Sequence, residues 1–373
     1  MTEFSAQDAR MMAIAIRLAE KGQFTTPPNP NVGCVLSDVK GNIVGQGWHQ
    51  KAGTPHAEVH ALREAGELAK GVTAYVTLEP CSHTGLTPPC ADALIKAGVS
   101  RVVAAMVDPN PLVAGTGLDK LAAAGIEVAH GLLQQQAEKL NRGFIKRMRT
   151  GMPWVTVKLA SSLDGKTALA NGASQWITGT LARQDVQRHR AKSCAILSGS
   201  GTVIADNPSL NVRHDELGVS NTAYAKPDLR QPTRVILDGR NQLHAKLKLC
   251  SLPGDILLIN SRKSDQPFPH QVTQWQAPYN QNKLDLNKVF EQFGALQFNT
   301  VWVEAGAKLA GALLQNKLID ELILYQAPKL LGDKGQDMFA IEELSDMQQA
   351  YNLVLQDVRQ VGSDLKITAN IEY

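Results

Sequence analysis

The chain has 373 residues, 43% of them hydrophobic, which exceeds one ordinary domain of roughly 100 to 200 residues and can fill more than one core. Its 38 Lys and Arg against 35 Asp and Glu leave a formal charge of +3 with no long basic run, which argues against a charged nucleic-acid-binding surface and leaves small anionic substrates open. No stretch reaches the roughly 18 apolar residues of a membrane-spanning helix, and five cysteines spread through a long chain suit thiols or metal ligands better than a disulfide framework.

In chain order, Met1 to Glu20 interleaves Glu3, Asp8 and Arg10 with short apolar stretches, and reads as an amphipathic helix rather than a secretory leader. A cytoplasmic protein is expected. Strand patterns follow at Val32 to Leu36 and Ile43 to Trp48, then a helix over about Ala57 to Lys70 and a strand at Val72 to Leu78. A helix near Ala91 to Ala97, a strand at Val102 to Val107, a helix at Leu118 to Ala124 and a strand at Ile126 to Ala129 continue the alternation. Such βαβ order predicts a layered α/β domain with ligands at the strand ends.

The stretch Phe144 to Pro153, with Lys146, Arg147, Arg149 and Gly151, precedes a new strand pattern at Trp154 and carries the predicted boundary between domains 1–148 and 153–373. Beyond it the pattern predicts a helix over about Leu181 to Lys192 and strands at Ala195 to Leu197, Arg234 to Leu237, Ile256 to Ile259 and Val301 to Val303. A helix from about Lys308 follows, and Leu353 to Val358 with Leu365 to Ile371, separated by Gly-Ser-Asp, predict an antiparallel hairpin at a sheet edge.

The strongest chemical signal is His56-Ala57-Glu58 at a helix start, followed by Pro80-Cys81 and by Cys90 at the start of another helix. An imidazole and two thiolates make three good zinc ligands and leave a fourth position for water, whose pKa zinc lowers from about 15.7 toward about 7. Glu58, two residues beyond the histidine, is then the candidate proton carrier, help typically worth about 10² to 10⁴ in rate. Zinc nucleobase deaminases carry H-x-E followed by P-C-x-x-C, whereas here eight residues, Ser82 to Pro89, separate the cysteines. His60, four residues from His56 on the same helix face, reads as a core or supporting residue rather than a fourth ligand.

In the second half, Trp302 to Ala312 runs strand, glycine turn, helix, so that free N–H groups at the helix start could hold a phosphate, although a glycine there is also an ordinary turn and Gly311 could serve helix packing.

The segment Cys81 to Cys90, with Asn29-Pro30-Asn31-Val32-Gly33, His49, Ala57 to His60 and Asp108-Pro109-Asn110-Pro111, resembles the riboflavin-pathway deaminases across most of the first domain. The second domain resembles the riboflavin-pathway reductases through Lys158 to Gly165, Ser174 to Thr178, Thr202 to Pro208 and Val303 to Ala312. The resemblance implies an α/β protein with a cytidine-deaminase-like three-layer domain, then a dihydrofolate-reductase-like domain with a mixed sheet. It implies one Zn2+ per chain held by His56, Cys81 and Cys90, Glu58 as catalytic residue, and substrate contacts from Asn29, His49 and His83. Leu86 stands where relatives often have Lys or Arg, so phosphate binding in the deaminase site must rely on other groups or be weaker. In the second domain the resemblance implies NADPH contacts from Ala160, Trp176, Thr202, Asp206, Gly239, Gly306, Ala307, Lys308, Leu309, Ala310, Gly311 and Ala312. Ser174, Arg190, Leu210, Arg213 and Glu304 would hold the substrate, the two arginines because a guanidinium fork suits a phosphate. The implied partners are a small phosphorylated pyrimidine and further copies of this chain, with no nucleic acid and no membrane. Two other readings compete: a base deaminase acting on tRNA or DNA with an accessory domain, and a non-catalytic zinc-stabilised binding module.

Overall fold

The computed structural model describes residues 4–83, 88–111, 113–175, 177–222 and 224–373, so Leu86 and Trp176 lie outside the described residues. The chain divides into two compact units, Met1–Gly151 and Met152–Tyr373.

The first unit runs α1 (Ala6–Glu20), β1 (Gly33–Ser37), β2 (Ile43–Trp48), α2 (Ala57–Ala65), β3 (Thr73–Val76), α3 (Cys90–Ala97), β4 (Arg101–Ala104), α4 (Thr116–Ala123), β5 (Glu127–His130), α5 (Gln134–Leu140) and α6 (Arg142–Thr150). Its sheet order is β2-β1-β3-β4-β5, with β1 antiparallel to both neighbours and β3, β4 and β5 parallel. Because side chains alternate across a strand, Cys34, Leu36, Ala74, Val76, Val102 and Ala104 share one core with Ala57 and Ala61 of α2, Leu94 of α3 and Leu121 of α4. Val35, Tyr75, Val103 and Ala129 share the other with Met11, Met12 and Ala15 of α1 and Ile145 of α6. Helices therefore cover both faces, the three layers expected.

One local expectation needs correction, and the stretch expected to carry the domain boundary gains a helix. The helix expected to reach Lys70 ends at Ala65, where Gly66 turns to a positive φ of 54° and a single 3-10 turn, Gly66–Ala69, follows. The basic stretch expected to carry the domain boundary is helical as far as Thr150, because Ile145 is buried in the first unit, and the chain leaves α6 through Gly151 at φ 73°.

The second unit comprises β6 (Trp154–Ser162), β7 (Lys166–Ala168), α7 (Thr180–Lys192), β8 (Ala195–Gly199), α8 (Ser200–Asp206), β9 (Thr233–Leu237), β10 (Ile256–Asn260), β11 (Val272–Gln276), β12 (Tyr279–Asn280), β13 (Lys283–Leu284), α9 (Leu286–Ala295), β14 (Thr300–Glu304), α10 (Ala307–Gln315), β15 (Glu321–Ala327), β16 (Gln336–Asp337), β17 (Asn352–Val361) and β18 (Asp364–Glu372). The main sheet has the order β11-β10-β9-β8-β14-β6-β15-β18-β17. It is parallel from β11 to β15, and the last two strands are the antiparallel hairpin expected at the edge. Val157, Leu197, Val235 and Val303 pack with Phe290 and Phe293 of α9 and Leu313 of α10, whereas Ile196, Ile236, Trp302 and Tyr325 face Ala182 and Val186 of α7. Among the described residues no helix is long and apolar enough to cross a membrane.

Candidate active sites

The helix carrying His56 and Glu58 is seated by two strand glycines. A Cβ at Gly47 would lie 2.6 Å from the Ala57 carbonyl oxygen, and one at Gly45 would lie 2.3 Å from that of Ala61, so α2 rests directly on β2. His56, extended at the N-cap, and Cys90, first residue of α3, bring two helix starts together. The His56 Nδ1 lies 3.3 Å from Cys90 Sγ and 3.6 Å from Cys81 Sγ, and the Cys90 N–H donates to Cys81 Sγ at 3.3 Å. All three ligand atoms fall within 4.8 Å of one another. The hydrogen bond from the Cys90 thiol and, after the opposing effect of burial, the one from His56 hold the Cys81 thiol down, as helix starts favour thiolates. One imidazole nitrogen and two sulfurs, with no fourth protein ligand among the described residues, fit zinc with an open position.

Glu58 is 3% exposed, and its Oε2 has no hydrogen-bond partner. Burial raises its carboxyl to about 7 against the opposing pull of His56, so it can hold a proton near neutrality. His49 is buried, with Nδ1 3.2 Å from the Pro55 carbonyl oxygen and Nε2 3.1 Å from the Asn29 amide nitrogen. Burial lowers its pKa to about 4, which leaves a neutral ring that donates to Pro55 and accepts from Asn29. Its ring packs edge-on to His56, centroids 5.3 Å apart, so His49, with Asn29 bonded to it, lies beside the three candidate ligands. His83 is exposed and lies two residues after the ligand Cys81. His60 is half-buried with Nε2 unpartnered, a supporting residue of α2 rather than a ligand.

In the second unit a cavity of about 670 Å³ is lined by Gly239, Lys308, Leu309 and Ala312, four of the expected cofactor residues, together with Ser200, Arg240 and the Tyr279 to Leu284 hairpin. Gly306 caps α10 without a side-chain cap, and its N–H donates to Thr202 Oγ1 at 3.3 Å. A Cβ there would meet only that oxygen, at 3.9 Å, so the turn has room for a group held by backbone N–H donors. Ala310 and Gly311 differ from the expectation: Ala310 is buried in the core, and a Cβ at Gly311 would fall 2.0 Å from the Ala340 carbonyl oxygen, so both serve packing. Ala160 lies on β6, and Thr202 and Asp206 on α8.

The expected substrate arginines both have protein partners. Arg190 donates Nε and a terminal nitrogen to the two oxygens of Glu304 at 2.6 and 2.8 Å, and its other terminal nitrogen donates to Asn211 O, so its fork is filled from within. Arg213 is exposed and paired with Glu216 at 2.5 and 2.7 Å. Leu210 packs in the core beneath α7, so a substrate contact there would fall to its backbone, and Ser174 lies in the half-buried loop between β7 and α7. Sequence reasoning did not single out Lys158. It is the register partner of Glu304, and burial lowers its ammonium pKa against the pull of that carboxylate. A lysine inside an apolar strand pattern was the available signal.

A zinc-deaminase-type site on one three-layer unit, followed by a unit with a nucleotide-sized cavity beside a glycine-started helix, defines a two-domain α/β deaminase–reductase. The chain matches the cytidine and deoxycytidylate deaminase zinc-binding region over residues 5–106 and the RibD C-terminal domain over residues 153–367. It is 53% identical to the riboflavin biosynthesis protein RibD of Escherichia coli K12 over 96% of this chain and 98% of that protein. It is 54% identical to that of Haemophilus influenzae Rd over 99% and 98%. Among solved structures, Acinetobacter baumannii RibD superposes with a TM-score of 0.90 at 46% identity, covering 98% of this chain and 99% of that one. A Thermotoga maritima diaminohydroxyphosphoribosylaminopyrimidine deaminase/5-amino-6-(5-phosphoribosylamino)uracil reductase superposes at 0.86 with 32% identity, also over 98% and 99%. The chain belongs to the RibD family of riboflavin biosynthesis proteins.

Proposed function

We propose that this chain performs two consecutive steps of riboflavin biosynthesis. The first is hydrolytic deamination of 2,5-diamino-6-ribosylamino-4(3H)-pyrimidinone 5′-phosphate. The second is NADPH-dependent reduction of 5-amino-6-(5-phosphoribosylamino)uracil to the ribityl product. The observation that carries the reading is the convergence of His56, Cys81 and Cys90 beside the unpartnered Oε2 of the buried Glu58, in a family that joins this site to a reductase. A nucleic-acid base deaminase with an accessory domain is disfavoured because residues 153–367 match the RibD C-terminal domain rather than an unrelated module.

Residues 1–148 form the deaminase domain in this reading. His56 Nδ1 and the two cysteine sulfurs hold the zinc, which when bound supplies an activated water for attack at the amino-bearing ring carbon. Glu58 takes a proton on Oε2 and delivers it to the leaving amine. Asn29, fixed through its amide nitrogen to His49, presents its oxygen to the pyrimidine edge, and His83 borders the same opening. Residues 153–373 form the reductase domain in this reading, and NADPH bound there would supply hydride to C1′ of the ribosylamino group. Gly239, Lys308, Leu309 and Ala312 line its place, with Gly306 and Thr202 at the helix start. Lys158 is adjacent in register to Glu304, the carboxylate assigned to the substrate, and is the candidate proton carrier of this domain. Arg213, exposed and paired through two donors with the equally exposed Glu216, can exchange that carboxylate for the substrate phosphate. The enzyme is assigned to the cytoplasm and to a homo-oligomer.

The test is mass-spectrometric product analysis with the diaminopyrimidinone phosphate. Without NADPH the product should be one mass unit heavier, as amine becomes carbonyl, with ammonia released. With NADPH it should gain two hydrogens more. Absence of ammonia release from zinc-loaded protein would reject the deaminase reading, and NADPH consumption without a ribityl product would reject the reductase reading.

A further inference from the structure

We propose that Glu79 is a positioning residue for the deaminase centre, holding the backbone of the ligand Cys81 against the segment Asp108 to Leu118. Glu79 lies two residues before Cys81 and is 4% exposed. Among the described residues four hydrogen bonds reach its carboxylate, and all come from backbone N–H groups. Oε2 accepts from Asp108 at 3.0 Å and Gly115 at 2.9 Å, and Oε1 accepts from Gly117 at 2.7 Å and Leu118 at 3.4 Å. Gly117 and Leu118 lie in the first turn of α4, whose N-cap, Gly115, supplies no side-chain cap. Helix-start donors need an outside acceptor, and here that acceptor comes from the metal-ligand arm.

The same contact is tightened on both sides. A Cβ at Gly117 would lie 2.0 Å from the carbonyl oxygen of Pro80, so the helix start touches the residue immediately before Cys81. Immediately after it, Ser82 Oγ lies 2.7 Å from Thr116 Oγ1. Cys81 itself is tied on its other flank, its carbonyl accepting from Ala91 N at 3.1 Å and its sulfur from Cys90 N. The clamp therefore runs from residue 79 to residue 82 with the ligand inside it. Its far side begins at Asp108, whose own N–H donates to Glu79. A carboxylate suits the position because it alone offers acceptor sites on both oxygens with no donor. A glutamine would turn an NH2 toward two of the four N–H groups and leave them unpaired.

This inference rests on the zinc reading of His56, Cys81 and Cys90, and the experiment separates the two. In the full-length chain, zinc affinity is measured by chelator competition, and Co2+ is substituted to record its thiolate and ligand-field absorption, with deaminase kcat and KM alongside. NADPH-dependent reduction by the same preparation serves as the folding control for the second unit. The unmutated chain should bind one metal and lose it in Cys81→Ser; failure there sinks the zinc reading. Glu79→Gln should weaken zinc by about 10- to 100-fold, the usual cost of removing support behind a ligand. It should also alter the cobalt spectrum and lower kcat more than it raises KM. Glu79→Asp, which keeps the charge but shortens the reach, should recover part of the affinity, and Ser82→Ala should cost less than Glu79→Gln. A folded Glu79→Gln with zinc affinity within twofold of the parent and an unchanged cobalt spectrum overturns the proposal, even if its Tm falls. If Glu79→Gln does not fold, parent-like zinc affinity in both Glu79→Asp and Ser82→Ala overturns it.

Discussion

Substituting Gly47 by alanine sets two opposing effects against each other, and the structure decides between them. Glycine at 47 has no positive φ that would penalise a side chain, so removing its backbone freedom in the unfolded chain should stabilise the protein by about 0.4 to 1 kcal/mol. Against this, the new Cβ would lie 2.6 Å from the Ala57 carbonyl oxygen, 2.6 Å from His60 Cβ and 2.7 Å from the Ala61 nitrogen, where ordinary contact begins at 3.4 Å. The nearest neighbours are backbone atoms of α2 and cannot rotate away, so the helix must retreat by about 0.8 Å at its first turn. Overpacking of this kind costs about 1 to 3 kcal/mol, which exceeds the entropic gain. The first turn carries His56 and Glu58, and a misplacement near 1 Å at a reacting group can cost about 10² in rate. Gly47→Ala should therefore lower the unfolding temperature of the first unit, weaken zinc binding and reduce ammonia release by on the order of 10-fold to 10²-fold. NADPH-dependent reduction should be unchanged. A variant with a raised unfolding temperature and ammonia release within twofold of the parent would refute the close packing of α2 on β2.

Glu58→Gln should retain stoichiometric zinc while ammonia release falls by at least about 10²-fold, because proton transfer is lost and the ligands are kept; metal analysis and ammonia release on one preparation decide it. Gly306→Asp should fold, since a side chain there meets only Thr202 Oγ1 at 3.9 Å, yet its charge at the start of α10 should abolish NADPH binding in a fluorescence titration and leave deamination intact. Acid stability of the first unit should depend on Asp8. Burial raises its carboxyl, but hydrogen bonds from Arg101, Tyr75 and Ser5 outweigh this and hold it at about 2, below the ordinary 3.8. A depressed folded pKa stabilises above the unfolded value, so about 2 kcal/mol should be present above pH 4 and disappear as pH falls from 3.8 toward 2. Asp8→Asn should flatten that segment of the unfolding curve.

Where apolar runs stand apart from their neighbours the fold was legible. Val32 to Leu36 and the strands at 102, 195, 234, 256 and 301 are short apolar runs buried on nearly every residue, because helices cover both faces of each sheet, and they were legible because turns and polar segments set them apart. The elements that went unrecognised have physical reasons. β15, Glu321–Ala327, is buried on almost every residue, so it shows an apolar run without a period and is not separable by pattern from the helix before it. α9, Leu286–Ala295, starts with an Asp285 cap but carries Asn, Lys, Glu and Gln among its apolar residues, and its helical stripe of Val289, Phe290 and Phe293 emerges only against the sheet. The helix expected to run from about Ala57 to Lys70 stops short because Gly66, at a positive φ, is its C-cap.

The two sites differed in legibility because they differ in how they are built. Zinc ligands declare themselves by residue type, and the helix starts that position His56 and Cys90 leave local signals, so three side chains 34 residues apart at most could be placed together in advance. The reductase site is assembled across more than a hundred residues, and a residue's type does not reveal its partner at that range. Arg190 suited a phosphate on chemistry alone, yet Glu304, 114 residues away, fills its fork, and Trp302 Nε1 adds a third donor to the same carboxylate at 2.8 Å. An arginine so engaged orients Glu304 rather than meeting an incoming anion, since releasing it would leave a buried carboxylate short of its main partner, a loss of about 3 to 5 kcal/mol. Arg213 bears no such constraint: it is exposed and its pairing with Glu216 spans three residues of chain, so exchanging that partner for a phosphate costs little. The same reasoning explains why Glu79 escaped notice. Its partners are backbone N–H groups of residues 108 to 118, and backbone donors carry no signature in the sequence of the residues that supply them.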